Sequence, residues 1–224
     1  MLGLPDRITA LLFDLDGVLT DTAAVHAQAW KQTFEEEGYT FDIATDYVLY
    51  VDGKAREDGI RSFLASRDVH PPESEITRIG TVKNDLVLRL IREQGVEAYE
   101  GSRRYLEAAK AADLQLALVS SSANAEEVLK VTGMDRYMQE RVDGVVKREL
   151  NLPGKPAPDT FLEAARRLRV EPAHAAVFED ALAGVQAGAA GRFGFVVGVN
   201  RANQAEALKA SGADVVVDDL GELL

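Results

Sequence analysis

Short, nearly continuous apolar runs recur along this chain, and each ends in polar residues or glycine. Runs of this kind at 8–14, 115–120, 175–179, 193–199 and 214–217 read as strands. They lack in-and-out alternation, as expected for strands of a parallel sheet covered on both faces. Between them, helical patterns occupy 102–112, 125–132, 158–168, 181–190 and 203–211. Strand and helix in alternation predict an α/β fold on a doubly wound parallel sheet, which binds its ligands beyond the carboxyl ends of the strands.

The alternation is interrupted after the first strand. From about residue 22 to residue 96 there is no convincing strand, and helical patterns fill 23–37, 56–66 and 73–93. That is too long for a loop. The expectation is a helical cap domain, 22–96, inserted into an α/β core made of 1–21 and 97–224. The insertion begins directly behind the end of the first strand, so it can overhang whatever chemistry sits there. No internal repeat or low-complexity segment is evident.

Composition narrows the function classes. The 224 residues are 46% hydrophobic and 28% charged, the mix of a soluble globular protein. The formal charge of −12 argues against a nucleic-acid partner, which needs a basic surface. It leaves room for a small anionic substrate, because a metal and a few local cations can reverse the field in a cleft. With no cysteine in the chain, disulfides, thiolate catalysis and zinc–thiolate sites are excluded. The first seven residues hold no long apolar run with a small-residue cleavage site, and no stretch approaches a membrane span. A cytoplasmic monomer with no membrane partner is the expectation.

The chemistry concentrates at the predicted strand ends. Asp14 and Asp16 close the first run, two residues apart and just before Gly17. Alternation along a strand sends both carboxylates to one face, where their repulsion calls for a cation, and a hard divalent metal suits oxygen ligands. Ser120, Ser121 and Ser122 end the second run, Lys155 stands in Gly154-Lys155-Pro156 ahead of a helix, and Glu179-Asp180 end the third run. Each piece alone has a simpler explanation as a cap or a solvated charge. All four in this order at successive strand ends point to phosphoryl transfer, in which cations and donors are placed around the phosphoryl oxygens. A carboxylate would attack the phosphate ester with a metal reducing the repulsion, Ser120 and Lys155 would hold the oxygens, and Glu179 and Asp180 would anchor the metal.

These four motifs resemble those of the haloacid dehalogenase superfamily, and the helical segment behind the first resembles its C1-capped branch. The resemblance implies Asp14 as nucleophile, Asp16 as general acid/base, and magnesium held by Asp14, the Asp16 carbonyl and Asp180. Asp14-Leu-Asp-Gly-Val-Leu-Thr-Asp-Thr, with His26 and Trp30 following, is similar to the opening of the β-phosphoglucomutase-like subfamily. That similarity implies a hinge at Thr22, a role for His26 in aligning the acid/base, and substrate contacts from Lys83. It implies a distal phosphate held by Arg56, Ser122 and Asn124, with Ser121 beside them. An arginine fork suits the second anion site that a bisphosphate intermediate requires. The loop Tyr50 to Gly59 departs from the subfamily, with Asp52 where lysine is usual and Gly59 where serine is common.

The expected activity is therefore magnesium-dependent phosphotransfer on a small-molecule sugar phosphate through an aspartyl-phosphate, of the type that interconverts hexose 1- and 6-phosphates. The alternative is a phosphatase for a sugar or other small phosphate monoester. A signalling receiver domain shares the aspartyl-phosphate chemistry but has no large insertion and no second Asp two residues after its nucleophile. A non-catalytic sugar-phosphate-binding module would have no need of the Asp14/Asp16 pair. Dinucleotide and P-loop readings fail on spacing, since Gly154-Lys155-Pro156 lacks the Ser/Thr and upstream glycine of a P-loop.

Overall fold

The structure is a computed structural model that describes residues 2–224. Its elements run β1 (Ala10–Phe13), α1 (Ala23–Glu36), a π-helical segment (Ile43–Val51), α2 (Arg56–Ala65), α3 (Glu73–Gln94) and α4 (Glu100–Ala111). They continue with β2 (Gln115–Val119), α5 (Ala125–Thr132), β3 (Glu140–Val142), α6 (Gly144–Glu149) and α7 (Asp159–Leu168). The chain ends with β4 (Ala175–Glu179), α8 (Leu182–Ala190), β5 (Phe195–Val199), α9 (Ala205–Ala210) and β6 (Val215–Val217).

The six strands form one sheet in the order β3-β2-β1-β4-β5-β6, and every pair is parallel. This is the α/β doubly wound sheet read from the apolar runs. Alternate residues of β1 serve both faces: Leu11 and Phe13 join one buried cluster, Ala10 and Leu12 the other. Helices cover both faces, so the strand leaves no polar alternation in the sequence.

The strand order reverses between β1 and β4, the position at which open α/β sheets bind ligands. Their register pairs Phe13 with Phe178, whose rings stack at 4.4 Å. The residues that follow, Asp14 and Glu179, are therefore neighbours at the carboxyl edge of the sheet. Between β1 and α4 lie α1, the π-helix, α2 and α3. Their buried residues, among them Trp30, Phe34, Phe41 and Phe63, make a cluster apart from those flanking the sheet. A smaller cluster of Val25, Ala29, Leu86, Val87 and Leu90 joins α1 to α3.

Three elements lie outside the sequence expectation. β3 is a three-residue edge strand in which only Val142 is buried, too little apolar signal to register. α6 follows it, started by the Asp143 carboxylate, which accepts from the amides of Val145 and Val146. The π-helix carries exposed Ile43 and Leu49, which blur any amphipathic period. Among the described residues, no helix is long and apolar enough to cross a membrane.

Candidate active site

The chain turns back sharply after β1. Gly17 N donates to Thr20 O, while the amides of Leu19 and Thr20 both donate to Leu15 O. Gly17 sits at φ +80°, and a Cβ there would come within 1.8 Å of the Asp180 carboxylate. Only glycine lets the Asp14–Asp16 loop pass this close to the end of β4. The result is a buried group of carboxylates, with ligand atoms of Asp14, Glu179 and Asp180 all within 4.8 Å of one another.

Lys155 is the cation at the back of this group. Its ammonium lies 2.5 Å from Asp14 Oδ1 and 2.5 Å from Glu179 Oε1, and it donates to Val119 O at 3.0 Å. Burial opposes its charge, but Asp14 and Glu179 outweigh burial and hold the ammonium above its usual range. Burial pushes the carboxyls of Asp14, Asp16 and Asp180 up. Four acids face one ammonium, and that excess of negative charge is the electrostatic condition a divalent cation relieves. All the donors are carboxylate or carbonyl oxygens, which suits a hard cation such as magnesium.

Asp16 is oriented separately. Thr22 Oγ1 donates to Asp16 Oδ1, and Thr22 pairs in turn with Thr20 Oγ1 at 2.9 Å. His26 Nε2 lies 3.8 Å from the same carboxylate oxygen, while its Nδ1 lies 3.0 Å from Lys83 Nζ, an ammonium that can only donate when charged. Nδ1 accepts from that ammonium, which leaves the ring proton on Nε2, pointing the histidine's donor toward Asp16. Burial, then Lys83 and Arg56, hold the His26 imidazole well below its ordinary value, so it is neutral. Lys83 lies over the Trp30 ring at 4.6 Å and is pushed down to about 7, first by burial and then by Arg56, with Asp16 opposing.

A cavity opens between the sheet's carboxyl edge and the helical segment above it. Asp14, Asp16 and Asp180 line it from below, with Ser121, Ser122 and Asn124 beside them. His26, Arg56 and Lys83 line it from the helical segment. The remaining expected residues, Thr22, Ser120, Lys155 and Glu179, lie outside that lining and are buried. Ser120 Oγ accepts from Ser122 N at 3.0 Å, which shapes the turn that presents Ser121 and Ser122.

The upper wall is tied to the lower one. Ser121 Oγ donates to Gly53 O at 2.7 Å, Asn124 Nδ2 to Asn84 Oδ1 at 3.0 Å, and Lys147 Nζ to Asp58 Oδ2 at 2.9 Å. Gly53, at φ +69°, approaches Ala181 so closely that a Cβ would lie 2.7 Å from that side chain. This contact brings Asp52 into the wall, where burial, together with Asp14 and Asp16, pushes its carboxyl up to about 7 against the neighbouring Tyr47 phenol. Tyr47, Asp52, Lys54 and Asn84 line the cavity and were not among the expected site residues. Asn84 has a signal in its position beside Lys83. Tyr47 has none, because the π-helix that carries it leaves no period in the sequence.

Comparison with known proteins agrees with this geometry. A family model described as haloacid dehalogenase-like hydrolase matches residues 8–192. A β-phosphoglucomutase of Mycobacterium bovis is 53% identical, with 100% of this chain and 94% of that protein aligned. The fructose-1-phosphate phosphatase YqaB of Escherichia coli is 32% identical over 81% of this chain and 92% of its own length. Among solved structures, a β-phosphoglucomutase from Clostridium difficile superposes with a TM-score of 0.83 at 31% identity, covering 97% of this chain and 93% of that one. The chain belongs to the haloacid dehalogenase-like hydrolase family.

Proposed function

We propose that this protein is a magnesium-dependent phosphotransferase of the β-phosphoglucomutase type, acting on a sugar phosphate through phosphorylated Asp14, with residues 22–96 working as its cap. One observation carries the reading. Arg56 and Lys83 line the same cavity as the nucleophile, and among the described residues neither forms a salt bridge with a carboxylate. A phosphatase needs cations only at the scissile phosphoryl group. A mutase must also hold the second phosphate of a bisphosphate intermediate, and unpaired cations in a closed cavity provide for it.

Bound by Asp14, the Asp16 carbonyl and Asp180, magnesium would lower the repulsion between the attacking carboxylate and the phosphoryl oxygens. The chain's own groups do the rest. An Asp14 oxygen attacks phosphorus while Lys155 compensates charge beside it. The P–O bond to the sugar breaks, and the leaving oxygen takes a proton from Asp16, whose carboxyl burial pushes up. In the complementary step the free hydroxyl of a sugar monophosphate gives its proton to Asp16 and attacks the phosphoryl group on Asp14, which frees the carboxylate and forms the bisphosphate; attack of Asp14 on the other phosphoryl group of that bisphosphate then releases the isomer. Thr22 and His26 hold Asp16 in line, and the contacts between Ser121 and Gly53 and between Asn124 and Asn84 tie the two walls of the cavity together.

A specific observation favours phosphatase activity as the second reading: Asp52 puts an acid, not a lysine, in the cavity wall. Incubation with β-glucose 1-phosphate and a trace of the 1,6-bisphosphate separates the two. Glucose 6-phosphate without free phosphate supports the mutase, and rapid release of free phosphate overturns it in favour of the hydrolase.

A further inference from the structure

Three strand ends and the loop of Lys155 account for the expected chemistry. The carboxyl end of β5 carries Asn200-Arg201-Ala202-Asn203-Gln204, to which no role has been attached. Its side chains reach toward the two acid-bearing loops. Arg201 Nε donates to Gly17 O at 2.8 Å, and Gln204 Nε2 donates to Asp180 O at 3.0 Å. These two backbone sites adjoin each other, because Gly17 is the residue that packs against the Asp180 carboxylate. Asn200 fixes the loop itself: its Oδ1 accepts from Gln204 N at 2.6 Å, and its Nδ2 donates to Asp218 Oδ1 at 2.8 Å.

The guanidinium of Arg201 also joins segments that are distant in the chain. Its Nη1 donates to Asp218 O at 2.8 Å, and its Nη2 lies 3.6 Å from the Asp219 carboxylate. Its plane covers the Tyr99 ring at 3.7 Å, and the Tyr99 hydroxyl donates to Asp21 at 2.9 Å. Tyr99 and Asp21 belong to the two connections between the sheet and the helical segment, and the connections pair with each other through Tyr99 N to Leu19 O and Asp21 N to Glu97 O. A planar fork that stacks on a ring and donates from separate nitrogens can hold three segments at once, and an ammonium cannot.

We propose that the loop after β5 is a positioning clamp of the active site: Arg201 holds the Asp14–Gly17 loop and Gln204 holds Asp180, so that together they set the spacing between nucleophile and metal ligand. Neither side chain touches the reacting atoms. Catalysis depends on that spacing because a misplacement of about 1 Å caused away from the chemistry can cost on the order of 100-fold in rate. The inference rests on the reading of Asp14 and Asp180 given under the proposed function.

The test uses the full-length enzyme with Arg201→Ala, Arg201→Lys and Gln204→Ala. Both Arg201 variants should lose kcat by roughly 10- to 100-fold. Their KM for the sugar phosphate should stay near the wild-type value, because Arg56, Lys83 and Asn124 are untouched. Free guanidinium should restore turnover to Arg201→Ala, and methylammonium should not. Should Arg201→Ala fail to fold, Arg201→Lys carries the same comparison. Gln204→Ala should weaken magnesium binding measured by calorimetry on the metal-free protein, a readout independent of turnover. A folded Arg201 variant within twofold of wild-type kcat overturns the proposal, and so does unchanged magnesium affinity in Gln204→Ala. If the wild type turns over no sugar phosphate, the functional reading has failed, and the magnesium affinity of Gln204→Ala still decides whether the clamp exists.

Discussion

Replacing Lys155 by methionine tests the electrostatic account of the site. Methionine keeps an unbranched side chain that can follow the same path past the Phe161 ring, 5.0 Å from the ammonium, and removes the charge and its hydrogen bonds to Asp14 and Val119 O. Asp14 and Glu179 then lose the cation 2.5 Å from each of them. Besides the ammonium, Glu179 is compensated by the Ala181 amide, which donates to its Oε2 at 3.2 Å, so losing the lysine removes its one full countercharge. Stripping one partner from a buried ion pair costs about 3–5 kcal/mol, because the partner left behind stays buried and uncompensated. For a chain of this size each kcal/mol moves the midpoint by about 2–4 °C, so Lys155→Met should melt about 6–20 °C below wild type. The assay is thermal unfolding followed by circular dichroism, with a chelator present so that bound metal does not mask the loss.

The sign of the pH dependence follows from Glu179, whose carboxyl is pushed up to about 8, first by burial and also by Asp14, against the pull of Lys155. A folded value above the unfolded one means that its contribution is full below about 4.5 and is lost as pH rises through 8. In acid the Glu179 carboxyl is protonated with or without the lysine, and the variant loses little. Above pH 8 it is ionised beside the lysine, and the full deficit appears. The gap between wild type and variant should therefore open as pH rises. A gap below about 1 kcal/mol above pH 8, a size typical of exposed pairs, would refute the reasoning. A gap that widens on acidification would refute it too.

Lys83, pushed down to about 7, should be neutral in a fraction of the free enzyme and take up a proton when a phosphate dianion enters the cavity. Calorimetry at pH 8 in buffers of different ionisation heat should show that uptake, and identical heats would rule it out. Its folded value lies below its unfolded one, so the free enzyme should gain stability as pH rises above 7, and Lys83→Met should flatten that slope. Asp52→Lys replaces an acid with a base beside the cavity, and should tighten binding of a sugar bisphosphate by about tenfold or more, equivalent to about 1.4 kcal/mol. The ratio of isomerised product to free phosphate should rise with it, and an unchanged ratio would remove Asp52 from any part in selecting the outcome. Gly17→Ala combines a positive φ with a Cβ 1.8 Å from the Asp180 carboxylate. It should cost about 1–3 kcal/mol in backbone strain and also weaken magnesium binding, whereas unchanged metal affinity would show that the two loops move independently.

What could be read ahead of the fold follows from what leaves a period in a sequence. β1 and β4 are buried on both faces, so each appears as an unbroken apolar run whose end marks the site, and Asp14, Asp16, Glu179 and Asp180 were found on that basis. His26 and Lys83 were reached through family resemblance, because a buried histidine and a helix lysine have ordinary structural explanations when seen alone. β3 and the π-helix went unread for want of signal: one buried residue in the first, exposed Ile43 and Leu49 in the second. Tyr47 reaches the cavity from the π-helix without a sequence signal, whereas Asp52, which stands out as a departure from the subfamily, lies in the wall beside Gly53, where that glycine packs on Ala181. Arg201 and Gln204 are a different case. They stand at the end of a strand that was read correctly, where the rule that drew attention to Asp14 applies equally. Their targets are the backbone carbonyls of Gly17 and Asp180, and a carbonyl carries no residue identity that a sequence pattern can display. A search of sequence for partners of catalytic side chains will therefore miss groups that act by holding the main chain, while a search of every strand end will find them.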